Sequence, residues 1–552
     1  MKLFLLACLA AAAACPAAAS AQQEGSTELL ADAAILSVSH DSVRLEVYSG
    51  EDEGERLRTR RAAAKKILAP VPMCSAAGLA WTSKGGEVLL NGRPFHIKGT
   101  HWFGLESGVQ VLHGLWGDGT TMKQALDFLQ ANKFNALRVP VSLDTVLNAA
   151  AKPDAQSCLP ANCGALTTAQ LLSQLFKECA ARGILVLLDM HYLNTPPADL
   201  TLPIEEPSPA PFPRNTLLDL YGAEPNLLGI DLKNEPHGTA SWGIGQRSTD
   251  WAAAAVRIVQ GIRAKHPGYN KLIFIEGIST GRASSPFPAA RASYDMNWGM
   301  NLDGAYANPV VFTGRLAYLN DKVVYSPHVY GPSVFNQTYY ADPTFPKNMA
   351  AIWDQQIGGL EAATGKAVVV GEWGGLYIGT DRVLQDALGA YLKSKCIADA
   401  FWWANNHQCL VRAAAAAAIR PHDCRSPMPT CPAAAAAVPR RRRRRRALNP
   451  NSAEMGGLLQ ADWRTPNAGK LALLAAAQPT PSLFVGAIGR VNICVNYGAY
   501  GNALCDKRTG VRVRGRRRAA LLAGGGDDDD ETAADGAAAA IGDSEDSEEY
   551  EE

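Results

Sequence analysis

From about Leu79 the chain settles into a repeating rhythm of short apolar runs separated by amphipathic stretches. WTSKGGEVLLNGRPFHIKGTHWFG (81–104) reads as a hairpin turning at Asn91-Gly92 and leading into a strand at 96–102. Seven further runs follow: FNALRVPVS (134–142), GILVLLDMH (183–191), LLGIDLKNEP (227–236), KLIFIEGIS (271–279), VVYSPHVYG (323–331), AVVVGEWGG (367–375) and ADAFWWA (398–404). Continuous apolar runs of this length fit strands buried on both faces. Between most of them lie stretches with helical periodicity, near 121–133, 250–265, 348–363 and 381–395. One more places Leu171, Leu172, Leu175, Phe176 and Cys179 at helical spacing. Eight strands alternating with helices predict an α/β fold, a closed (β/α)8 TIM barrel. No glycine-rich phosphate loop follows the first strand, which disfavours an open doubly wound sheet.

The rhythm fails in four places. Residues 22–78 are rich in alanine and charge without sustained periodicity, and are expected to form a low-complexity extension. Residues 405–447 combine alanine runs with seven consecutive arginines, Arg440 to Arg446, and read as a low-complexity insertion in a catalytic domain spanning 79–477. Residues 478–510 are expected to be a small disulfide-closed appendage, and 511–552 a disordered charged tail. The formal net charge of zero therefore hides segregated blocks, with thirteen acids in the last 26 residues. Such blocks are solvated, and no basic face on a folded module suggests nucleic-acid binding.

The first 21 residues read as a secretory signal: Lys2, an apolar stretch from Leu3 to Ala14, and a small-residue cleavage site at Ala19-Ser20-Ala21. No segment has the roughly 18 apolar residues a membrane span requires. A secreted, extracellular and monomeric protein without a membrane span is expected. Ten of the twelve cysteines lie beyond the signal. Cys158 with Cys163, and Cys494 with Cys505, could close small loops, although connectivity is not readable from sequence.

Two apolar runs end on a glutamate, Glu235 and Glu372. A carboxylate at the end of a buried strand is costly, because desolvation disfavours its charged form. Two of them on one barrel suggest the paired carboxylates of a glycoside hydrolase. No Cys/His spacing resembles a zinc site. His96 and His101 are five apart and do not form the His-x-His of a zinc hydrolase barrel, so neither metal nor cofactor is expected.

The motifs HWFGLESG (101–108), HGLW (113–116), LRVP (137–140), DMH (189–191), KNEP (233–236), WGMNLDGA (298–305), YSPHVYGPSVF (325–335), GEWGG (371–375) and FWWA…LNPNSAEMGGLL occur in the order found in glycoside hydrolase family 5. Over 79–477, apart from the insertion, the chain resembles the secreted endo-β-1,4-glucanases of that family. The resemblance implies Glu235 as acid/base and Glu372 as nucleophile in a retaining cleavage of cellulose or a related β-glucan. It further implies Arg138 beside the nucleophile, holding it ionised, His191 and Asn234 on the cleaved sugar, His328 near Glu235, Tyr330 near Glu372, and Trp403 beneath the sugar. His113, Trp116 and Trp242 are added as supporting or substrate-binding residues, the two tryptophans as stacking platforms because they sit in polar or glycine-rich loops.

Other readings remain open at this level. The substrate could be mannan, xyloglucan or β-1,3-glucan, and a non-catalytic wall-polysaccharide-binding protein on an inherited barrel is a reading of another class. Glu276 is expected to be a structural ion-pair partner. Trp402, alternating with Trp403, is expected to point into packing.

Overall fold

The computed structural model describes residues 72–75, 78–115, 119–142, 165–192, 214–279, 296–397, 399–407, 455–489 and 492–497, a few positions between 145 and 153, and the backbone of 34–39 and 42–47. Eight parallel barrel strands run Lys98–His101, Ala136–Ser142, Leu185–Tyr192, Leu227–Asp231, Leu272–Ile275, Val323–Tyr325 continued by His328–Tyr330, Ala367–Val368 continued by Val370–Gly374, and Ala400–Trp402. Each pairs with the next in chain order, and the eighth pairs with the first through Ala400↔Lys98 and Trp402↔Thr100. The ring is closed, as the alternation of strands and helices predicts.

Helices surround it, among them Met122–Ala131, Thr168–Ala181, Trp251–Lys265, Gly379–Ser394 and Ala468–Ala477. Thr121 and Thr167 cap the first two through reciprocal bonds with Gln124 and Gln170. The helix expected over 348–363 is divided. Met349–Trp353 passes into a π turn, Asp354–Gly358, before Leu360–Thr364 resumes, because Gly358-Gly359 weakens the α-helical ladder. No helix among the described residues is long and apolar enough to cross a membrane.

Side-chain alternation along the strands makes two cores. Outward residues such as Leu137, Val186, Ile273 and Val370 pack against the helices. Inward residues Ala136, Leu187, Phe274, Val324, Val369 and Phe401 fill the lumen. Gly99 must be glycine there, since a Cβ would lie 2.1 Å from the Phe401 ring. The strands Trp81–Lys84, Glu87–Leu90 and Arg93–Pro94 form an antiparallel sheet whose Asn91-Gly92 turn carries positive φ at both residues, as expected. Trp81, Val88, Leu90 and Phe95 join the lumen core from this sheet.

Three boundaries differ from expectation. Ala34–Ser39 and Ser42–Val47, within the supposed low-complexity extension, pair as antiparallel strands, the second carrying Val43, Leu45 and Val47 at period two. Residues 483–496 are not a separate appendage: Leu483–Phe484 and Ile493–Asn496 form a sheet with Met73–Ser75, and Ile488 and Val495 enter the lumen core. Cys494 is bonded to Cys74, its register partner across that sheet, rather than to Cys505. Finally, Asn405 and Asn406 are buried and the Asn405 N–H donates to His101 O at 2.8 Å, so 405–407 belong to the barrel and not to the insertion. The Cys158–Cys163 pairing, the signal segment, 408–454 and 498–552 lie outside the described residues.

Candidate active site

The lumen changes character one inward step further along the strands. Ala136 is followed at i+2 by Arg138, Leu187 by Asp189 and then His191, Phe274 by Glu276, and Phe401 by Trp403. From Val324 the inward positions run through Ser326 to His328 and Tyr330. Period-two alternation thus carries every one of these side chains to the C-terminal mouth of the barrel, where such folds place their chemistry.

Arg138 is fully buried at the centre. Its Nη1 donates to Glu372 Oε1 at 2.6 Å and its Nε to Asp231 Oδ2 at 3.1 Å. Its Nη2 lies 2.9 Å from Glu276 Oε1, 3.1 Å from Asp189 Oδ1 and 3.0 Å from Asn234 Oδ1. Burial opposes the guanidinium charge, but the surrounding carboxylates outweigh it and hold Arg138 protonated. Asp189 in turn accepts from His191 Nδ1 at 2.6 Å. Burial works against the charge on His191 also, yet Asp189 wins and raises its pKa. Asn234 Nδ2 is 3.4 Å from His191 Nε2.

Glu235 and Glu372 face each other across His328. One carboxylate oxygen of each, together with a nitrogen of His328, lie within 4.8 Å of one another. His328 Nδ1 is 3.0 Å from Glu235 Oε1 and 3.6 Å from Glu372 Oε2, while its Nε2 is 3.2 Å from Glu276 Oε1. Burial alone would neutralise His328, but Glu276 and Glu372 overcome it and push the imidazole well above its ordinary value. His328 and Glu372 are register partners on adjacent strands, and the Tyr330 hydroxyl donates to Glu372 Oε2. Glu235 sits at φ 49°, unusual for a residue with a Cβ, and its N–H is held by Glu276 Oε2 at 2.6 Å.

The expectation that Arg138 would set the Glu372 pKa needs correction. Burial is the larger influence and leaves the carboxyl above its ordinary value, while His328 and Arg138 pull it down and Glu235 pushes it up. Asp231, buried beside Glu276, is pushed far above the usual carboxylate range.

Trp403 is partly exposed at the floor of the mouth, stacked on Phe103 at 5.4 Å and nearly parallel to His191 at 5.8 Å. Trp402 points away, its Nε1 donating to Gly456 O at 2.6 Å. Two supporting residues do not line the cleft. Trp242 is 0% exposed and donates to Asn308 O at 2.9 Å, so its indole is packing inside the loop after the fourth strand and no stacking platform. His113 is 2% exposed behind Phe103, and burial pushes its pKa down to about 3. Trp116 lies outside the described residues.

Several site residues escaped the sequence reading. Asp189 and Asp231 interrupt otherwise apolar runs, a signal as strong as that of Glu235. Glu276 is an ion-pair partner, as expected, and it also fixes the Glu235 backbone and His328. Trp298 stands 49% exposed, stacked face to face on His237 at 3.9 Å, and His237 Nδ1 lies 2.6 Å from Glu235 O. Neither periodicity nor composition separates such a tryptophan from a core one.

Strand-end carboxylates paired in a closed barrel, with an aromatic floor, define an O-glycosyl hydrolase. Residues 88–408 match the model of cellulase, glycosyl hydrolase family 5. The chain is 31% identical over 393 residues to the "Major extracellular endoglucanase" of Xanthomonas campestris pv. campestris, covering 70% of this chain and 68% of that one. It is also 31% identical over 394 residues to "Endoglucanase" of Paenibacillus polymyxa, covering 70% and 83%. Among solved structures it is similar to the catalytic domain of the Xanthomonas enzyme, with TM-score 0.56, 30% identity, and 72% and 100% of the two chains covered. A cellotetraose complex of an endocellulase from Pyrococcus horikoshii matches with TM-score 0.57 at 26% identity, covering 73% and 99%. The chain belongs to glycosyl hydrolase family 5, the cellulase family. It is a glycosyl hydrolase of the cellulase type.

Proposed function

We propose that this protein is a secreted, monomeric endoglucanase that cleaves internal β-1,4-glucosidic bonds with retention of configuration. The observation that carries the reading is the approach of Glu235 and Glu372 to within 4.8 Å through one oxygen each. Retaining enzymes hold their carboxyls about 5–5.5 Å apart, whereas inverting ones leave roughly 6.5–9.5 Å for a water.

In this reading the Glu372 carboxylate attacks the anomeric carbon while Glu235 gives its proton to the departing glycosidic oxygen. Glu235, now ionised, takes a proton from water as that water displaces Glu372 from the sugar. Arg138, Tyr330 and His328 spread the charge of Glu372 and keep it ready to attack despite its burial. Glu276 holds Glu235 from the backbone. Trp403 carries the ring of the cleaved sugar, with His191 and Asn234 at its edge. Trp298 is proposed to receive the leaving sugar. A β-1,4-glucan substrate is supported by relatives named endoglucanase and by the cellotetraose complex, and export by the extracellular relative together with the signal-like residues 1–21.

The test uses an activated aryl β-cellobioside, whose leaving group needs no proton. Glu372→Ala should abolish turnover, by a factor on the order of 10⁴–10⁶. Glu235→Ala should lose polymer hydrolysis yet keep formation of the glycosyl-enzyme on the aryl substrate. Equal impairment of both variants would remove the support for assigning Glu235 as acid and Glu372 as nucleophile. NMR showing the α-anomer as first product from wild type would end the retaining claim.

A further inference from the structure

Trp298, at the rim of the cleft, is held from one side. It is 49% exposed, and among the described residues its ring stacks on one partner, His237, with centroids 3.9 Å apart and planes inclined by 5°. One face of the indole is thereby covered and the other left open. The backbone on both sides of Trp298 is tied to the catalytic layer. Gly299 O accepts from the Gly277 N–H at 2.9 Å and from the His328 N–H at 3.3 Å, and the Asn297 amide donates to Tyr330 O at 3.0 Å. These bonds fix the backbone and leave the two χ angles of the indole, which an exposed side chain is free to vary. The stack on His237 selects among them.

His237 is itself held by the acid it follows. Its Nδ1 lies 2.6 Å from Glu235 O, and a carbonyl oxygen only accepts, so Nδ1 carries the proton. Burial, the largest influence on this ring, keeps its pKa below the ordinary value, so it stacks as a neutral imidazole at neutral pH. The Glu235 backbone is fixed in turn by Glu276 Oε2, and the Glu235 carboxyl by His328.

These contacts close a circuit. It runs from Glu235 to His237, from His237 to Trp298, through Gly299 to His328, and from His328 back to the Glu235 carboxyl. The proton donor and the platform of the leaving sugar therefore share one frame. The departing oxygen has to lie within hydrogen-bond reach of Glu235 as its bond breaks, and small errors in placing the sugar are costly in rate.

We propose that His237 is a positioning residue of the cleavage reaction: its ring sets the Trp298 indole, and through it the leaving sugar, in register with Glu235. The inference rests on the reading of Trp298 as the platform of the leaving sugar. The test is a double-mutant cycle of His237→Ala and Trp298→Ala. The readout is the ratio of kcat/KM on cellotetraose, whose leaving group is a sugar, to kcat/KM on aryl β-cellobioside, whose leaving group is not. A merely structural role lowers both rates together and leaves the ratio where it was. His237→Ala should lower the ratio about three- to tenfold, the worth of an aromatic stack, and should lower it little further in the Trp298→Ala background. An unchanged ratio in His237→Ala would overturn the proposal. So would an undiminished effect in the Trp298→Ala background, which would assign His237 to the Glu235 backbone alone. Should His237→Ala fail to fold, His237→Phe keeps a ring against the indole without the bond to Glu235. Its ratio should stay within about twofold of wild type, and a fall as large as that of Trp298→Ala would overturn the proposal. A wild-type ratio in Trp298→Ala would instead remove Trp298 from the leaving-sugar site and take this inference with it.

Discussion

The two ends of the barrel lumen are built by the same strands and face opposite problems. At the closed end, Ala136, Leu187, Phe274, Val324 and Phe401 meet Trp81, Phe95 and Val495 in a dry, wholly apolar core. At the open end, an inward step or two along, the lumen holds Arg138, Asp189, Glu276, His328 and Glu372, all of them buried. Burying apolar surface is favourable at roughly 25 cal/mol per Å². Burying charges costs several kcal/mol per ion, which pairing only partly returns. The closed end therefore stabilises the fold, and the open end draws on that stability to hold chemistry in place.

Arg138→Met tests the comparison most severely. It leaves Asp189, Glu276 and Glu372 facing one another without their common cation. A loss of about 3–5 kcal/mol is expected at neutral pH, with activity abolished. Denaturant melts should show a smaller loss at pH 5, where the freed carboxyls can protonate. A pH-independent loss would mean that the guanidinium acts by packing.

The matching change at the closed end is Phe95→Ala. Phe95 packs edge-on against Trp81 at 5.0 Å and touches Phe484 at 5.5 Å. Its removal should cost about 3–5 kcal/mol, as for other buried aromatics, while kcat on aryl β-cellobioside stays within about twofold. A large fall in kcat in folded protein would mean that the two ends are coupled.

Glu106 extends the comparison to a single acid at the edge of the polar end. Burial, more than any neighbour, pushes its pKa from 4.5 up to about 7, and it accepts from the Gly104 N–H at 2.7 Å. Between pH 4.5 and 7 the native state keeps a proton that the unfolded chain has lost, so stability falls as pH rises through that window. Glu106→Gln keeps an oxygen for Gly104 and removes the titration. It should flatten the decline and be more stable than wild type at pH 7 by about 2–3 kcal/mol. Parallel stability–pH curves for the two proteins would contradict this.

The smallest effect is expected from deletion of residues 408–447. Closing a shorter loop changes chain entropy by only about 0.6 kcal/mol per halving, so the barrel should melt within about 1 kcal/mol of wild type. Extending the deletion to 405–447 should be far worse, because it removes buried Asn405 and Asn406 and the bridge from His407 to Leu459. Equal tolerance of the two deletions would return 405–407 to the insertion.

Residues 405–407 also mark how far the sequence could be read. By local pattern they run on into low complexity, and only their bonds to His101 and Leu459 make them part of the barrel. Strands and helices were legible because apolar periodicity is a property of neighbouring residues. The positions of Glu235 and Glu372 were legible because a charge ending an apolar run stands out against it.

Partnership was not legible. Glu276 meets Arg138, 138 residues away, and Cys494 meets Cys74 at a separation of 420. Trp242 and Trp298 both sit in glycine-bearing loops, yet one is sealed inside its loop and the other stands at the rim. Even the Glu372 pKa depends on how deeply its strand end is buried as well as on which cation reaches it. The sequence by itself determined the order of elements and the acids, Glu235 and Glu372, that close its apolar runs, since both are written in local spacing. The cross-strand disulfide, the matching of charges at the barrel mouth and the exposure of each aromatic were decided by tertiary structure, because each depends on contacts between segments that share no local pattern.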